Sequence, residues 1–288
     1  MAASPPVVLT IAGFDPSSGA GVTADIKTIA AHECYGVSCI TALTVQSTQG
    51  VRRVDPLDPG LIRETLQELV SDVDIQAVHI GMLGSRAVVE AVAAILDEAR
   101  LPHVVLDPIL KSSSGADLLD AEGKRAMTER LLPLAELVTP NLEEASALTG
   151  IAVTNLDQMR EAAAHLHGLG AANVVVTGGH LEKAIDLLSF TTSSGVEQEV
   201  FKADRQRSSS THGTGCAFAT ALACHLGHGR GLPEAVLLSK VYVSAAIANA
   251  HPLGRGTGPL HHLYRIGQQR RASAPVAERD HGSSRTGA

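Results

Sequence analysis

The sequence is poor in aromatic residues and contains no tryptophan. Aromatic side chains make up 2% of the 288 residues, so the stacking platforms that bind single-stranded nucleic acid are not expected. The formal net charge of −7 gives no reason to expect non-specific attraction to nucleic acid or to anionic membranes. A small phosphorylated ligand remains compatible with this charge, because a local pocket can oppose the global field.

Long hydrophobic runs and cysteine motifs are also missing. No stretch approaches the roughly 18 apolar residues that a bilayer crossing needs, and residues 1–6 lack the basic region of a signal peptide. The four cysteines, Cys34, Cys39, Cys216 and Cys224, form no CxxC motif, which favours free thiols over a disulfide framework. We therefore expect a cytoplasmic protein that does not associate with membranes or nucleic acid.

Short Val/Ile-rich runs alternate with longer segments of helical period. Strands are predicted at residues 7–12, 37–44, 77–80, 104–106, 137–138 and 174–177. Helices are predicted at residues 23–31, 61–70, 86–98, 157–169 and 233–250. Continuous apolar strands separated by helices indicate an α/β fold with a mainly parallel central sheet and helices on both faces.

The C-terminal third of the sequence predicts a strand pair at the edge of the sheet, followed by a tail. The runs at residues 185–190 and 196–201 are joined by a Thr/Ser/Gly stretch, which indicates an antiparallel hairpin at the edge of the sheet. We expect residues 1–267 to form a single domain. Residues 268–288 are polar and aperiodic, so we expect a disordered C-terminal tail.

Polar segments follow four of the predicted strands. They are residues 13–21, 107–108, 139–141 and 177–180. In doubly wound sheets, ligands bind outside the carboxyl ends of the strands, so we expect one composite site there.

The most informative segment is T-H-G-T-G-C-A-F-A at residues 211–219. Gly213 and Gly215 allow the backbone to approach a ligand closely. If a helix begins near Thr214, its free N–H groups and positive dipole end form an anion hole for a transferring phosphoryl group. Gly-rich turns that lead into a helix are common, so the residues alone also allow a loop with no binding role.

Cys216 falls in the first turn of this predicted helix. A thiol in that position can have a pKa below its usual value, and a thiolate there can accept the proton of a substrate hydroxyl. A lone cysteine is more often a small buried packing residue. Its place in the glycine loop favours the catalytic interpretation.

Carboxylates offer a place for a hydrated Mg²⁺, which binds through one or two carboxylates and phosphates. Asp107 ends a predicted strand, and Glu143 and Glu144 follow Asn141. The alternative is structural, with Asn141 capping a helix whose N-terminus the glutamates stabilise. Asp25, on a predicted helix, is either a surface charge or a substrate contact.

Taken together, seven collinear segments between residues 8 and 266 resemble the hydroxymethylpyrimidine/phosphomethylpyrimidine kinases, a branch of the ribokinase-like superfamily. They are T-I-A-G-F-D-P-S-S-G-A-G at 10–21, A-D-I-K-T at 24–28, I-T-A-L-T-V-Q at 40–46, I-G-M-L-G at 80–84, V-L-D-P at 105–108, T-P-N-L-E-E-A at 139–145 and H-G-T-G-C at 212–216.

The resemblance implies a homodimeric, ribokinase-like enzyme that uses ATP and Mg²⁺. Its substrates would be 4-amino-5-hydroxymethyl-2-methylpyrimidine and the monophosphate of that compound, in thiamine biosynthesis. The pyrimidine pocket would be lined by Gly13, Asp25, Thr44, Gln46 and Met82. The nucleotide would lie against Asn141, Thr177, Gly178 and Thr211. Asp107 and Glu144 would hold Mg²⁺ through water. The anion hole would comprise Gly213, Thr214, Gly215 and Cys216, with Cys216 as base.

Two residues depart from the family pattern. Phe14 stands where a small serine is common, which would narrow the mouth of the pocket. Thr177 stands where lysine is common, which removes a cation near the phosphates. Two alternatives remain. One is a pyridoxine-type vitamin kinase with the same fold, because that ring is also an aromatic nitrogen heterocycle with a hydroxymethyl group; the other, motivated by Thr177, is a pyrimidine-binding protein that has lost catalysis.

Overall fold

The computed structural model describes residues 4–179, 184–203 and 208–266. Within these ranges nine strands form one sheet. The strands are β1 Val7–Phe14, β2 Tyr35–Ser47, β3 Gly50–Pro56, β4 Ala77–Ile80, β5 Val104–Leu106, β6 Leu137–Val138, β7 Val174–Gly178, β8 Ala184–Thr192 and β9 Gly195–Ala203.

Eight α-helices accompany the sheet in the described ranges. They are α1 Gly21–Ala31, α2 Pro59–Asp72, α3 Arg86–Ala99, α4 Ala121–Ala126, α5 Leu142–Thr149, α6 Leu156–Gly168, α7 Thr214–Gly227 and α8 Leu232–Ala248. A π-helical turn, Met127–Leu131, and a 3₁₀ turn, Leu132–Leu134, follow α4. None of these helices combines the length and apolar character that a bilayer crossing requires.

The sheet has the order β3-β2-β1-β4-β5-β6-β7-β8-β9. Its centre, from β2 to β7, is parallel, and β8 and β9 pair antiparallel at one edge. The predicted mainly parallel sheet with an antiparallel edge is therefore confirmed. The opposite edge is antiparallel as well, through β2 and β3. Periodicity missed β3 because it carries the exposed charges Arg52 and Arg53 instead of an apolar run.

Alternate residues of the central strands enter two different cores. Leu9 and Ile11 pack with α2, α3 and α6 residues on one face, whereas Val8 packs with α7 and α8 residues on the other. Successive strand side chains point to opposite faces, so burial on both sides explains the continuous apolar runs. This arrangement leaves the carboxyl ends of the strands as the place where polar loops collect.

The predicted strands all exist, and three of them have the predicted bounds. The predicted helices begin and end within two residues of α1, α2, α3, α6 and α8. That residues 1–267 form a single domain stays a prediction, and the tail at 268–288 lies outside the described residues.

Candidate active site

The loop before α7 packs directly on the loop after β1. Gly213 is the N-cap of α7 and has a φ of 80°, a left-handed conformation that favours glycine. A Cβ at Gly213 would overlap the carbonyl oxygen of Gly19. The helix begins at Thr214, as predicted, so the free N–H groups of its first turn lie beside the loop at residues 13–21.

The same loop contacts the end of β5. A Cβ at Gly215 would lie 3.8 Å from Oδ2 of Asp107, and Gly215 itself is exposed. The backbone of the first turn of α7 is therefore exposed to solvent at Gly215, next to the buried carboxyl group of Asp107. The N-terminus of a helix in such a setting can bind an anionic group.

Cys216 is buried among carboxylates. Burial raises the pKa of its thiol well above the usual value, and Asp107, Asp25 and Glu144 raise it further. The expectation that the helix N-terminus lowers this pKa is therefore corrected. Loss of hydration and the neighbouring carboxyl groups outweigh the helix dipole, so this position favours the neutral thiol over the thiolate.

Asp107 and Glu144 form a buried acidic pair. Burial raises the pKa of both carboxyls, and the charge of Asp107 adds to the increase at Glu144. Glu144 also completes a capping box with Asn141: the Asn141 N–H donates to Glu144 Oε2, and the Glu144 N–H donates to Asn141 Oδ1, both at 2.9 Å. The structural alternative, in which Asn141 caps the helix, is therefore present, and Glu144 belongs both to this cap and to the acidic pair.

These two carboxylates suit a hydrated Mg²⁺. Carboxylate oxygens are the hard ligands that Mg²⁺ prefers. A divalent cation would also relieve the repulsion between two buried carboxylates. In the described ranges, no group of three or more His, Cys, Asp or Glu side chains is arranged to hold a metal ion. That Asp107 and Glu144 hold Mg²⁺ through water stays a prediction.

Asp25 requires a correction. Its carboxylate is fully buried, and it accepts hydrogen bonds from Thr10 Oγ1 at 2.7 Å and from Thr220 Oγ1 at 3.0 Å. His79 Nδ1 lies 3.4 Å from the same carboxylate. Because protein groups surround both oxygens, Asp25 does not reach a substrate from this position. It anchors Thr220, one turn after Cys216, and so holds α7 in place.

His79 was not identified from the sequence. Burial would lower the pKa of its imidazole, but the charges of Asp25 and Asp107 raise it above the usual value. The histidine lies inside the apolar run A-V-H-I of β4, and a polar residue at such a position is the signal that could have revealed the network. Its Nδ1 lies 3.2 Å from Thr220 Oγ1, so the ring belongs to the network that anchors α7.

The predicted pyrimidine pocket comes together from β1, β2 and the segment after β4. A Cβ at Gly13 would lie 2.9 Å from Met82 Sδ, so these two residues adjoin. Thr44 Oγ1 donates to the Phe14 carbonyl at 3.0 Å and lies 3.2 Å from the Gln46 amide. Beside them is a cavity of about 120 Å³ lined by Gln46, Ser112, Ser113, Ser114 and His212, among others. Substrate contact at these residues stays a prediction.

The predicted nucleotide residues fall into two groups. Asn141 and Thr177 pair as a parallel bridge, and the Thr177 N–H donates to the Pro140 carbonyl at 2.9 Å. Gly178 follows directly in β7. Thr211 is separate and exposed, and its carbonyl accepts from Thr214 Oγ1 at 2.7 Å. The contacts tie Thr211 to the anion-hole loop instead of to β7.

A lysine that sequence reasoning missed lies near β7. Lys240 of α8 is buried, and its Nζ lies 2.5 Å from Asp186 Oδ2 in β8. The other oxygen of Asp186 accepts from the Gly178 N–H at 3.1 Å. An ammonium group therefore lies near the strand end where Thr177 replaces the family lysine. No local motif marks Lys240, because its partner is 54 residues away in the chain.

Comparison with known proteins identifies the family of this chain. The sequence model of the family described as phosphomethylpyrimidine kinase matches residues 15–261. The chain belongs to this family. A hydroxymethylpyrimidine/phosphomethylpyrimidine kinase of Streptomyces coelicolor is 41% identical over 266 residues, which cover 92% of this chain and 97% of that protein.

Two further proteins are similar. The thiamine biosynthesis bifunctional protein ThiED of Geobacter sulfurreducens is 44% identical over 258 residues, and the match spans 89% of this chain but about half, 52%, of that protein. The ADP complex of Bacillus subtilis pyridoxal kinase has a TM-score of 0.82 and 35% identity, covering 91% of this chain and all of that one. The predicted family and its ribokinase-like kinase fold are thus confirmed.

The buried Lys240–Asp186 pair leads to a stability prediction. Lys240→Met leaves the Asp186 carboxylate buried without its cation, so we expect a loss of about 3–5 kcal/mol of unfolding free energy. Adding Asp186→Asn removes the stranded charge and keeps an oxygen for the Gly178 N–H, so the double variant should regain more than half of the loss. Urea denaturation measures both effects.

The control for this prediction is an exposed ion pair. Lys111 and Asp117 are both exposed and lie 3.5 Å apart. Lys111→Met should change stability by no more than about 0.5 kcal/mol. Equal losses for Lys240→Met and Lys111→Met would contradict the importance of the buried pair.

Proposed function

We propose that this chain is an ATP-dependent kinase that phosphorylates 4-amino-5-hydroxymethyl-2-methylpyrimidine and then converts the monophosphate to the diphosphate, in thiamine biosynthesis. The observation that carries the proposal is the meeting of three features at the carboxyl ends of the strands. These are the glycine loop opening α7, the buried acidic pair, and the Cys216 sulfur between them. The family match supports the same activity.

The chain's own groups account for the chemistry of transfer. The acceptor oxygen attacks the γ-phosphorus of ATP, the bond from that phosphorus to the β–γ bridging oxygen breaks, and ADP leaves. N–H groups at Gly213, Thr214 and Gly215 would face the charge that develops on the phosphoryl oxygens. Mg²⁺ held by Asp107 and Glu144 would supply positive charge beside the phosphates. Cys216 would take the proton of the acceptor alcohol as it passes its own thiol proton to Asp107, which accepts a hydrogen bond from that thiol.

The uncharged sulfur suits the second phosphorylation. The monophosphate carries negative charge into the site, and a carboxylate at position 216 would repel it. The raised pKa of Cys216 keeps the resting residue neutral. We therefore infer that cysteine at this position favours an acceptor that is already phosphorylated.

We also propose that the enzyme is a cytoplasmic homodimer that uses Mg²⁺. The nucleotide would contact Asn141, Thr177, Gly178 and Thr211, with Lys240 as the nearby cation. The Asn141–Thr177 bridge and the capping box of Asn141 with Glu144 support a nucleotide position next to the acidic pair.

Turnover by the purified protein tests the proposal. With Mg-ATP, hydroxymethylpyrimidine should yield first the monophosphate and then the diphosphate, both resolved by ³¹P NMR or ion-exchange chromatography. Absence of either product while ADP forms with another acceptor would reject the proposed substrate. Tight pyrimidine binding without any phosphate transfer would instead support the catalytically weakened alternative that Thr177 raises.

A pyridoxine-type substrate is the second candidate, and the similarity to Bacillus subtilis pyridoxal kinase favours testing it. Both rings are aromatic nitrogen heterocycles with a hydroxymethyl group. Specificity is the ratio of kcat/KM values, so the two substrates should be compared side by side. We expect the pyrimidine to have the larger value.

A further inference from the structure

His212 lies where three segments of the proposed substrate site meet. Its ring is buried, with 7% of the residue exposed. Nε2 lies 2.8 Å from Asp15 Oδ2 and 3.2 Å from the Gln46 amide, and Nδ1 lies 3.2 Å from Ser113 Oγ. The imidazole thereby connects the loop after β1, the end of β2 and the loop after β5.

The surroundings of Asp15 determine which ring nitrogen carries the proton. Oδ1 of Asp15 accepts from the N–H and hydroxyl of Ser17, and Oδ2 accepts from the N–H groups of Gly19 and Ala20. Burial opposes ionisation, but the hydrogen bonds from His212 and Ser17 hold the pKa of Asp15 below its ordinary value. An ionised carboxylate only accepts, so Nε2 of His212 carries a hydrogen and donates it.

This tautomer of His212 determines which way the Gln46 amide is oriented. With Gln46 Nε2 toward the ring, two donors face each other across 3.2 Å. At the opposite end, Gln46 Oε1 lies 3.2 Å from Thr44 Oγ1, whose single proton goes to the Phe14 carbonyl. Exchanging the amide oxygen and nitrogen removes both conflicts. Oε1 then shares the Nε2–H of His212 with Asp15 Oδ2 in a three-centre hydrogen bond, and Gln46 Nε2 donates to Thr44.

We propose that His212 is a positioning residue that acts through Gln46 and thereby selects the ring that the site accepts. The amide presents its acceptor on the His212 side and its donor on the Thr44 side. A ring that carries an amine next to an acceptor nitrogen matches this order. The pyridoxine ring does not, because its hydroxyl can donate but has no acceptor nitrogen beside it. This role rests on the proposed function, because it assumes that Gln46 contacts the acceptor ring.

A double-mutant cycle tests the role. Gln46→Ala and His212→Met should each lower the preference for hydroxymethylpyrimidine over pyridoxine, measured as the ratio of kcat/KM values, by about tenfold. In both variants, KM for the pyrimidine should change more than kcat. The double variant should lose no more preference than Gln46→Ala alone, because His212 acts through that amide.

Conservative variants supply the control. His212→Gln keeps an N–H at the reach of Nε2 and should retain most of the preference, whereas His212→Asn places its amide near the Nδ1 position and should not. This pair carries the test if His212→Met does not fold. Independent, additive losses in the double variant, or equal losses for both rings, would overturn the role. Wild-type protein that turns over neither ring would reject the proposed function itself.

Discussion

Replacing Cys216 with alanine is expected to lower kcat by about 10²–10⁴-fold, the usual contribution of a general base. The sulfur lies beside Asp107 at the first turn of α7, where an acceptor hydroxyl would meet the phosphoryl group. KM for the pyrimidine should change little, because the thiol is proposed to act on the proton in transfer and not on the ring. Steady-state kinetics measures both constants.

Cys224 provides a matched control on the same helix. It is fully buried in the core and lies two turns beyond Cys216. Cys224→Ala should keep kcat within about twofold while reducing stability by about 1 kcal/mol. The far-ultraviolet circular dichroism of both variants should match that of the wild type. A Cys216→Ala enzyme that keeps near-wild-type kcat would reject Cys216 as the base.

Local sequence patterns predict most of the strands and helices, because the spacing of apolar residues follows which side chains are buried. The run V-V-L at residues 104–106 is buried on both faces and reads as a central strand. Asn141 predicts the cap of a helix that Glu143 and Glu144 stabilise, and the structure has Asn141 as the N-cap of α5 with both glutamates in its first turn. Gly213 before Thr214 marks the start of α7. In these places local chemistry and tertiary structure agree.

The features that sequence reasoning missed depend on partners far away in the chain. Asp25 reads as a possible substrate contact until Thr220, 195 residues later, is seen to bind it. The pKa of Cys216 rises because burial and the carboxylates of Asp107, Asp25 and Glu144 converge on one sulfur. A helix start alone predicts the opposite shift. Desolvation and charge proximity are properties of the assembled core.

The geometry at Gly213 leads to the second large effect. Gly213→Ala should reduce kcat by about 10²–10³-fold, the loss that follows removal of one backbone-type donor from an anion hole. The left-handed φ of 80° disfavours alanine, and the added Cβ would overlap the Gly19 carbonyl. The loop must therefore move, and the N–H groups of the first turn move with it.

Replacing Gly229 with alanine is the control that distinguishes displacement of the loop from backbone strain. It follows the other end of α7 with a φ of 78°, and an added Cβ there would meet nothing within 4 Å. Both variants should lose about 1–2 kcal/mol of stability from the left-handed conformation, with the larger loss at Gly213 because of the overlap. Only Gly213→Ala should lose activity, as judged from kcat at temperatures where both variants are fully folded. If Gly229→Ala were equally impaired, strain in α7 would explain the loss, and the anion hole would have no special dependence on Gly213.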